Sequence, residues 1–400
     1  MASLLLVLLQ LLVHRAAADE RQLLMQIKHT WGDPPVLAAW SNGSGSVDHC
    51  SWPYVTCDVP SGRVTSLSLA NTKVTGPFPD AIGGLSGLTS LNLFNNSLTG
   101  AFPTSVYRCA SLRHLDLSYN YLHGELPAGI GRALGENLTS LILNGNCFRG
   151  TIPTSLSRLR NLRSLELDNN YLAGTIPPEL GDLTGLQTLT LGYNSFDVGE
   201  LPASFKNLTK LKILRARSSN LTGDFPSYVT EMPELEVLGL SINALTGSIP
   251  PGLWNLTKLR LLTIYANNLT GEVVVGDGAF GALNLVTIDL SANHKLSGPI
   301  PEAFAHLPKL ETLNLFYNNF SGQIPEGLCE NSKLEYLNVG QNLLSGSIPA
   351  SLTGCTTLKR LILSNNKLSG NVPFFLLDNY TTQFFRCIKS VYMRNKPILL

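Results

Sequence analysis

The sequence predicts an α/β repeat solenoid, in which short strands stack into one parallel sheet. The first observation is a period, because segments with the pattern of Leu310–Pro325 (LETLNLFYNNFSGQIP) recur every 24 to 26 residues. The second is the alternation of apolar and other residues around Leu313 and Leu315, which is typical of a strand with one buried face. The third is an asparagine, a glycine and a proline at nearly constant distances behind each strand. A period of this length indicates stacked units that share one core.

Thirteen copies of the pattern follow one another. Each copy is too short to fill an interior of its own, so stability must come from the stacking of neighbours. Hydrophobic residues make up 44% of the chain, which is ample for such a core. The first strand leucines, with one isoleucine, are Leu67, Leu91, Leu115, Leu141, Leu165, Leu189, Leu214, Leu238, Leu262, Ile288, Leu313, Leu337 and Leu361.

The residues behind each strand have separate physical roles. An asparagine is present in 11 of the 13 copies, and Thr72 and Ser219 replace it in the others. We expect the chain to turn there without ladder hydrogen bonds, so that a buried asparagine satisfies backbone groups of its own and the adjacent coil. The glycine permits a bend that a β-carbon would obstruct, and the proline fixes φ. Only the ninth copy, with Val274, lacks the proline.

The unit LxxLxxLxLxxNxLxGxIP resembles the plant-type leucine-rich repeat, and the resemblance covers Arg63 to Pro373. It implies a right-handed superhelix with a parallel sheet on the concave side. The segment Cys50-Ser-Trp-Pro-Tyr-Val-Thr-Cys57 resembles the N-terminal cap of the family, which implies a disulfide between Cys50 and Cys57. Members of the family are chiefly the extracellular parts of receptor-like kinases, receptor-like proteins and secreted enzyme inhibitors.

The predicted organisation has four parts: a signal peptide (1–18), a cap (19–62), the solenoid (63–373) and a non-repeat tail (374–400). The apolar run Leu4–Val13 and three alanines before Asp19 indicate a secretory signal, with an uncleaved anchor as the alternative. Asp19–Trp31 is predicted to form an amphipathic helix. No later apolar stretch is long enough to span a membrane. We therefore expect a truncated or alternatively spliced receptor ectodomain with a foreign tail.

Charge and motifs argue against several functions. A net charge of +1 and a pI near 7.6 do not favour binding to nucleic acid or anionic membranes. Gly276–Gly281 matches the G-x-G-x-x-G of phosphate-binding loops, but no βαβ unit surrounds it, so we interpret it as a glycine-rich insertion in a loop. Neither H-E-x-x-H nor a cysteine–histidine cluster predicts a metal. The sequence therefore predicts no cofactor and no enzyme, and the kinase domain expected in full-length relatives is absent from it.

The remaining cysteines and the sequons give further expectations. Cys109 and Cys355 each lie six residues before a strand leucine and are interpreted as core positions. The pairing of Cys109, Cys147, Cys329, Cys355 and Cys387 stays open, and seven cysteines leave at least one unpaired. We expect glycosylation at exposed members of the set Asn42, Asn95, Asn137, Asn207, Asn220, Asn255, Asn268, Asn319 and Asn379.

Residues that flank the strand leucines are predicted to form a ligand-binding concave face. Aromatic side chains exposed on a rigid sheet are typical anchors, although some of these side chains could instead fill gaps or meet glycans. The R-x-R spacing of Arg215 and Arg217 is that of the pair which, in peptide-sensing members of the family, receives the carboxylate at the peptide's C terminus; a structural pair is the alternative. The candidate residues are Phe94, Asp116, Tyr119, Glu166, Asp168, Tyr193, Arg215, Arg217, Tyr265, Asp289, Phe316 and Tyr317.

The resemblance implies the ligand-recognition domain of a plant receptor-like kinase or receptor-like protein, most similar to the peptide-sensing branch. Its expected partners are a secreted peptide or protein and a shorter leucine-rich repeat co-receptor. We expect it in the extracellular space (the apoplast), or at the plasma membrane where a full-length receptor exists. Two alternatives stay open: a secreted inhibitor of a wall-degrading enzyme, and a fragment without a function of its own.

Overall fold

The computed structural model describes residues 20–42, 48–276, 280–330 and 333–370. They belong to two compact units, divided between Asp197 and Val198. The predicted signal peptide, the tail 374–400, Cys387, Asn379 and the middle of the Gly276–Gly281 motif lie outside the described residues. Those predictions, and the predicted domain boundaries, stay predictions.

The first unit contains seven strands of a main sheet, one from the cap and six from successive repeats. The cap strand is antiparallel to its neighbour, and all the other pairs are parallel. Leu91 pairs with Leu115 and Leu141 with Leu165, so equivalent leucines are in register, as the period predicts. The strands are Val55–Cys57, Val64–Ser68, Ser90–Asn92, His114–Asp116, Ser140–Ile142, Ser164–Glu166 and Thr188–Thr190.

The second unit also contains seven strands of a main sheet, and all of their pairings are parallel. The first strand leucine of each repeat again pairs with its equivalent in the next, for example Leu214 with Leu238. Leu238, Leu262 and Ile288 are fully buried. The strands are Ile213–Arg215, Val237–Gly239, Leu261–Thr263, Thr287–Asp289, Thr312–Asn314, Tyr336–Asn338 and Arg360–Ile362.

The corner asparagines bind backbone groups of two coils, as predicted. Asn170 is buried, and its Nδ2 donates to the carbonyls of Leu167 and Asp168 in its own coil, at 3.1 and 3.3 Å, and of Leu143 in the preceding coil, at 3.1 Å. Its Oδ1 accepts from the N–H of Phe148, also in the preceding coil, at 3.0 Å. One side chain thus bonds to four backbone groups of two coils; the N–H of Phe148 has it as its partner, whereas each of the three carbonyls also accepts from a second donor.

Contrary to expectation, ladder hydrogen bonds continue behind the corners. In the first unit, short parallel strands after successive corners form a second sheet, and the second unit has a three-stranded and a two-stranded sheet of the same kind. A local pattern of polar residues and glycine carries little strand signal, which explains the error. The strands are Thr75–Pro77, Ser97–Gly100, Tyr121–Glu125, Cys147–Thr151 and Tyr171–Ala173, then Thr270–Glu272, Lys295–Pro299, Asn319–Ser321, Ser345–Gly346 and Lys367–Leu368.

Short helices complete most coils. All of them are 3-10 helices except Ile130–Ala133, which is α-helical, and each 3-10 helix of the repeats begins directly after a proline whose fixed φ suits the turn. The first unit contains Asp80–Gly84, Thr104–Arg108, Ile130–Ala133, Thr154–Arg158 and Pro178–Asp182. The second unit contains Ala203–Asn207, Ser227–Glu231, Pro251–Asn255, Glu302–His306 and Ala350–Gly354.

The cap covers the open end of the first coil. It contains an α-helix over residues 20–30, close to the predicted bounds, and the 3-10 helices Pro35–Leu37 and His49–Ser51. The Glu20 carboxylate accepts from the N–H of Val64 at 2.6 Å, and the rings of Trp40 and Trp52 stack at 5.7 Å. The predicted disulfide between Cys50 and Cys57 is present.

His49 makes the stability of the cap depend on pH. Its ring is 2% exposed and lies 3.0 Å from the Asp48 carboxylate. Burial lowers the pKa of His49 by more than the Asp48 carboxylate raises it, and the charge of Arg21 adds to the lowering. The folded state therefore binds this proton less readily than the unfolded chain, so its stability should fall as the pH drops through about 6.5. Denaturant unfolding from about pH 7.5 to 5.5 should show a smaller loss for His49→Gln than for wild type.

The pH dependence of stability that Glu20 contributes has the opposite sign to that of His49, because burial raises the pKa of the Glu20 carboxyl. A group with a raised pKa favours the folded state more as the pH falls. This contribution is the same in wild type and in His49→Gln, so the difference between the two proteins isolates His49. Parallel pH profiles for both proteins would contradict the assignment.

The structure corrects one cysteine assignment and confirms another. Cys355 forms a disulfide with Cys329, with the two Cα atoms 5.2 Å apart, a pairing that the sequence left open; Cys355 is half-buried, so its interpretation as a core position is wrong. Cys109 is buried, and burial raises the pKa of its thiol to about 11, as suits a core position. Within the described residues, Cys109 and Cys147 are the free cysteines.

Candidate functional site

The candidate site is the open face of the main sheet in each unit, defined here as the face turned away from the leucine core. Asp116 and Glu166 end strands of the first unit, and Arg215 and Asp289 end strands of the second. Five further candidates lie two residues beyond a strand end and continue the same alternation: Phe94, Asp168, Arg217, Tyr265 and Phe316. These nine occupy the predicted register.

The other three candidates lie elsewhere. Tyr119, Tyr193 and Tyr317 each directly precede a corner asparagine, at a turn and not on a strand, so their assignment to the strand face is wrong. Their φ angles are +52°, +54° and +57°, in the left-handed region that bulky residues rarely adopt. They are 48%, 43% and 46% exposed. The repeat therefore fixes three half-exposed phenol rings beside the open face.

The acidic candidates of the first unit already have hydrogen-bond partners. Asp116 is buried and accepts from both the N–H and the hydroxyl of Ser118. Glu166 accepts from the Ser164 hydroxyl at 2.8 Å, and Asp168 from the Thr190 hydroxyl and from Nδ2 of Asn169. A ligand cation would have to compete with these bonds, so the acids are less available than the sequence suggests.

Aromatic rings meet at the open face of the first unit. Phe94 and Tyr119 pack edge to face, with ring centroids 5.5 Å apart. The Tyr119 ring also covers the next turn, where a β-carbon on Gly145 would lie 3.0 Å from it. Because the two packed rings already restrict each other, they lose little conformational entropy when a ligand binds, and this suits a binding anchor.

In the second unit the two arginines have different surroundings. The guanidinium of Arg217 lies over the Tyr265 ring, 5.2 Å from its centroid, in a cation–π contact. Arg215 is exposed, and its side chain lies above Gly239 on the neighbouring strand. The pair is therefore one half-buried, oriented guanidinium beside one that reaches solvent.

The remaining candidates of the second unit form two small groups. Asp289 accepts from the N–H and hydroxyl of Ser291, at 3.0 and 2.6 Å, and from Nδ2 of Asn314 at 3.1 Å. Phe316 lies 6.0 Å from Tyr317 between ring centroids, and Tyr317 packs edge to face on His294 at 4.2 Å.

Sequence reasoning missed a row of apolar residues on the open face of the second unit. Ile213, Val237 and Leu261 begin their strands and are half-buried. The sequence contains a signal for this row, because the position directly before the first strand leucine changes from polar in the first unit to apolar in these three repeats. In the first unit the position holds Ser66, Ser90, His114, Ser140, Ser164 and Thr188.

All eight sequon asparagines within the described residues are exposed; their glycosylation stays a prediction. Asn95 lies at a turn beside Phe94, where a glycan would cover part of the open face of the first unit. Asn220, Asn268 and Asn319 each directly follow a corner, whereas Tyr121 and Tyr171 occupy that position in the first unit. The eight are Asn42, Asn95, Asn137, Asn207, Asn220, Asn255, Asn268 and Asn319.

Across the described ranges, one group of His, Cys or acidic side chains has the spacing of a metal site: His49, Cys50 and Cys57. Both cysteines belong to the cap disulfide, so neither offers a thiolate. Over the same ranges, no helix combines the length and the apolar character needed to cross a bilayer.

Family models match most of the chain. The leucine-rich repeat N-terminal domain matches residues 17–58, and the leucine-rich repeat region matches 138–276. Other leucine-rich repeat models match 62–122, 273–320, 333–355 and 357–378.

The Arabidopsis receptor kinase HAESA, solved with the peptide hormone IDA and the co-receptor SERK1, is 33% identical to this chain with a TM-score of 0.75. The match covers 89% of this chain and 67% of the HAESA chain. The chain belongs to the leucine-rich repeat family. The predicted solenoid and its N-terminal cap are thereby confirmed.

Two other relatives show how this leucine-rich repeat chain compares with longer proteins. The ectodomain of the Arabidopsis receptor kinase GASSHO1/SCHENGEN3, solved with CASPARIAN STRIP INTEGRITY FACTOR 2, is 37% identical with a TM-score of 0.77, over 89% of this chain and 42% of that one. A polygalacturonase inhibitor from Pyrus communis is 40% identical over 67 residues, which are 17% of this chain and 19% of the inhibitor. The chain therefore spans less than half of the GASSHO1 ectodomain, and its match covers about a fifth of the inhibitor.

Proposed function

We propose that this leucine-rich repeat chain is an extracellular, non-enzymatic ligand-recognition domain that binds a secreted peptide or protein on the open face of its main sheet. The observation that carries the proposal is the set of half-exposed aromatic rings, led by Tyr119, Tyr193 and Tyr317, which the repeat holds in fixed positions beside that face. The structure of HAESA, solved with the peptide hormone IDA, and that of GASSHO1, solved with CASPARIAN STRIP INTEGRITY FACTOR 2, support it.

The proposal includes a receptor context. HAESA was solved together with a co-receptor, and this chain covers 67% of that HAESA chain. By analogy, a shorter leucine-rich repeat co-receptor is the second partner that we propose. The place of action is the apoplast, at the plasma membrane where the chain forms part of a full-length receptor.

A second candidate function has its own support in the match to the polygalacturonase inhibitor. In that case the same open face would contact a folded enzyme and not an extended peptide. The addition of purified chain to a fungal polygalacturonase distinguishes the two, because an inhibitor should lower the rate of pectin hydrolysis and a peptide receptor should leave it unchanged.

The proposed function predicts that a glycan on the open face abolishes ligand capture. Phe94→Thr completes a sequon at Asn92 in the first unit, and Phe316→Thr completes one at Asn314 in the second. The secreted chain is immobilised, incubated with peptides from plant extracellular fluid, washed and eluted for mass spectrometry. Peptides retained by wild type should be lost from at least one of the two variants.

Matched controls separate the glycan from the loss of the ring. Phe94→Ala and Phe316→Ala remove the same side chains without adding a sequon. They should retain more ligand than the threonine variants, because only the glycan blocks the whole face. An identical set of peptides on wild type and on both glycosylated variants would place binding elsewhere and contradict the proposal.

Within the proposed function, Arg215 and Arg217 are predicted to receive the C-terminal carboxylate of a peptide. Two guanidiniums on the same face of the sheet offer several donors to a planar anion, and the Tyr265 ring orients one of them. Calorimetry compares a captured peptide as the free acid and as the C-terminal amide. Amidation should weaken binding to wild type by about tenfold, the equivalent of roughly 1.4 kcal/mol.

The control for this prediction is the double variant Arg215→Ala/Arg217→Ala. If the arginines read the carboxylate, the double variant should bind acid and amide about equally. Equal losses on amidation in both proteins would assign the arginines to the scaffold or to another ligand group.

A further inference from the structure

A shallow groove lies on the open face of the second unit, across the start of three neighbouring strands. Its volume is about 260 Å³, and it is lined by Glu236, Val237, Arg260, Leu261, Val286 and Thr287. Pockets that take a whole small molecule are typically about 300–1,000 Å³. This groove is therefore of a size for one side chain of a longer ligand.

The floor of the groove is apolar, although the fold does not require apolar residues there. Val237 and Leu261 occupy the position where the first unit has Ser140 and Ser164, and those strands pair in the same register. Since serine satisfies the repeat at this position, the two aliphatic side chains are not required by the fold. Binding is favoured when an aliphatic side chain of the ligand covers this half-buried apolar floor, because apolar surface is then removed from water.

The charges at the rim favour an anion. Glu236 lies 3.8 Å from Nζ of Lys212, and this ion pair has no net charge. Arg260 is exposed, and its guanidinium makes no hydrogen bond or ion pair with any residue that the structure describes. The rim therefore offers one cation with all its donors available to a carboxylate.

The backbone at the groove is already committed. The N–H groups of Val237, Leu261 and Thr287 donate to carbonyls of the preceding coil, at 2.9, 3.1 and 3.1 Å. A ligand therefore cannot extend the sheet by bonding to these groups, as peptides do when they add a strand. It must be recognised through side chains as it lies across the strands.

We infer that this groove anchors an extended peptide which carries an aliphatic side chain and, within two residues of it, a carboxylate. The aliphatic group lies between Val237 and Leu261, and the carboxylate pairs with Arg260. This inference rests on the proposed function and specifies the ligand chemistry of one part of the open face.

The test is a selection from a random linear heptapeptide library displayed on phage, against the immobilised secreted chain. Wild type should enrich an aliphatic residue with an acidic residue within two positions. The double variant Val237→Ser/Leu261→Ser reproduces the serine pair of the first unit and should lose the aliphatic preference, with enrichment reduced about tenfold or more. Arg260→Glu should replace the acidic preference by a basic one.

Arg163→Glu is the matched control, because Arg163 occupies the same register position in the first unit, next to Ser164 in place of an aliphatic residue. It should leave the enriched sequences unchanged. The absence of the aliphatic–acidic pair from wild-type selections, or its persistence on both groove variants, would overturn the inference. Peptides lost on Phe316→Thr but retained on the groove variants would preserve the proposed function and reject the groove alone.

Discussion

Asn170→Ala is expected to lower the free energy of unfolding by roughly 1–3 kcal/mol, because the buried N–H of Phe148 loses its hydrogen-bond partner. Asn170 donates to carbonyls of two coils and accepts from the N–H of Phe148. The carbonyls each keep a second donor, so the cost comes mainly from the unpaired N–H, which water does not reach readily in this buried corner. Urea unfolding followed by circular dichroism measures the loss.

Asn161→Ala is the matched control. Asn161 is exposed and makes one side-chain hydrogen bond, to the carbonyl of Glu136 at 2.9 Å. Its removal should cost less than about 1 kcal/mol, since water can solvate the freed carbonyl. Comparable losses for the two variants would mean that the corner bonds do not stabilise the stack.

Leu240→Ala is expected to cost roughly 2–5 kcal/mol, as for other truncations that leave a cavity in a packed core. Leu240 is fully buried and lies between the equivalent core residues Ala216 and Ile264 of adjacent repeats. The neighbouring coils are tied by their sheet hydrogen bonds and cannot collapse freely into the space. The change should appear as a lower urea midpoint.

Leu283→Ala serves as the control for the same substitution at the surface, because Leu283 is 50% exposed. Its effect should stay within about 0.5 kcal/mol. A neutral Leu240→Ala would contradict the buried register of this repeat, whatever the control shows.

The sequence predicted those features of the fold that repeat locally. The strand leucines, the corner asparagines and the cap cysteines occur at fixed spacings, and each spacing has one physical interpretation. The ladder hydrogen bonds behind the corners were missed because they depend on how neighbouring coils stack. The disulfide between Cys329 and Cys355 was also missed, although its separation of 26 residues is one period and so places the two residues in adjacent coils.

The candidate site was less predictable than the fold. Counting from the strand leucines placed Arg215 and Asp289 correctly, because alternation holds within a strand. The count failed for Tyr193 and Tyr317, since the backbone enters a left-handed turn before the corner. Val237 and Leu261 were overlooked because an apolar residue next to a core leucine is easily counted with the core.

The bonds of the corner asparagines also bear on how such a chain evolves. Each asparagine reaches back by a single coil, as Asn342 does to the carbonyl of Leu315 and the N–H of Phe320. When one whole period is removed or duplicated, each corner asparagine still follows a coil that offers the same carbonyl and N–H groups, so its hydrogen bonds can form again. Unequal recombination between copies can therefore change the length of the open face in steps of one strand, without any new hydrogen bond having to arise by mutation.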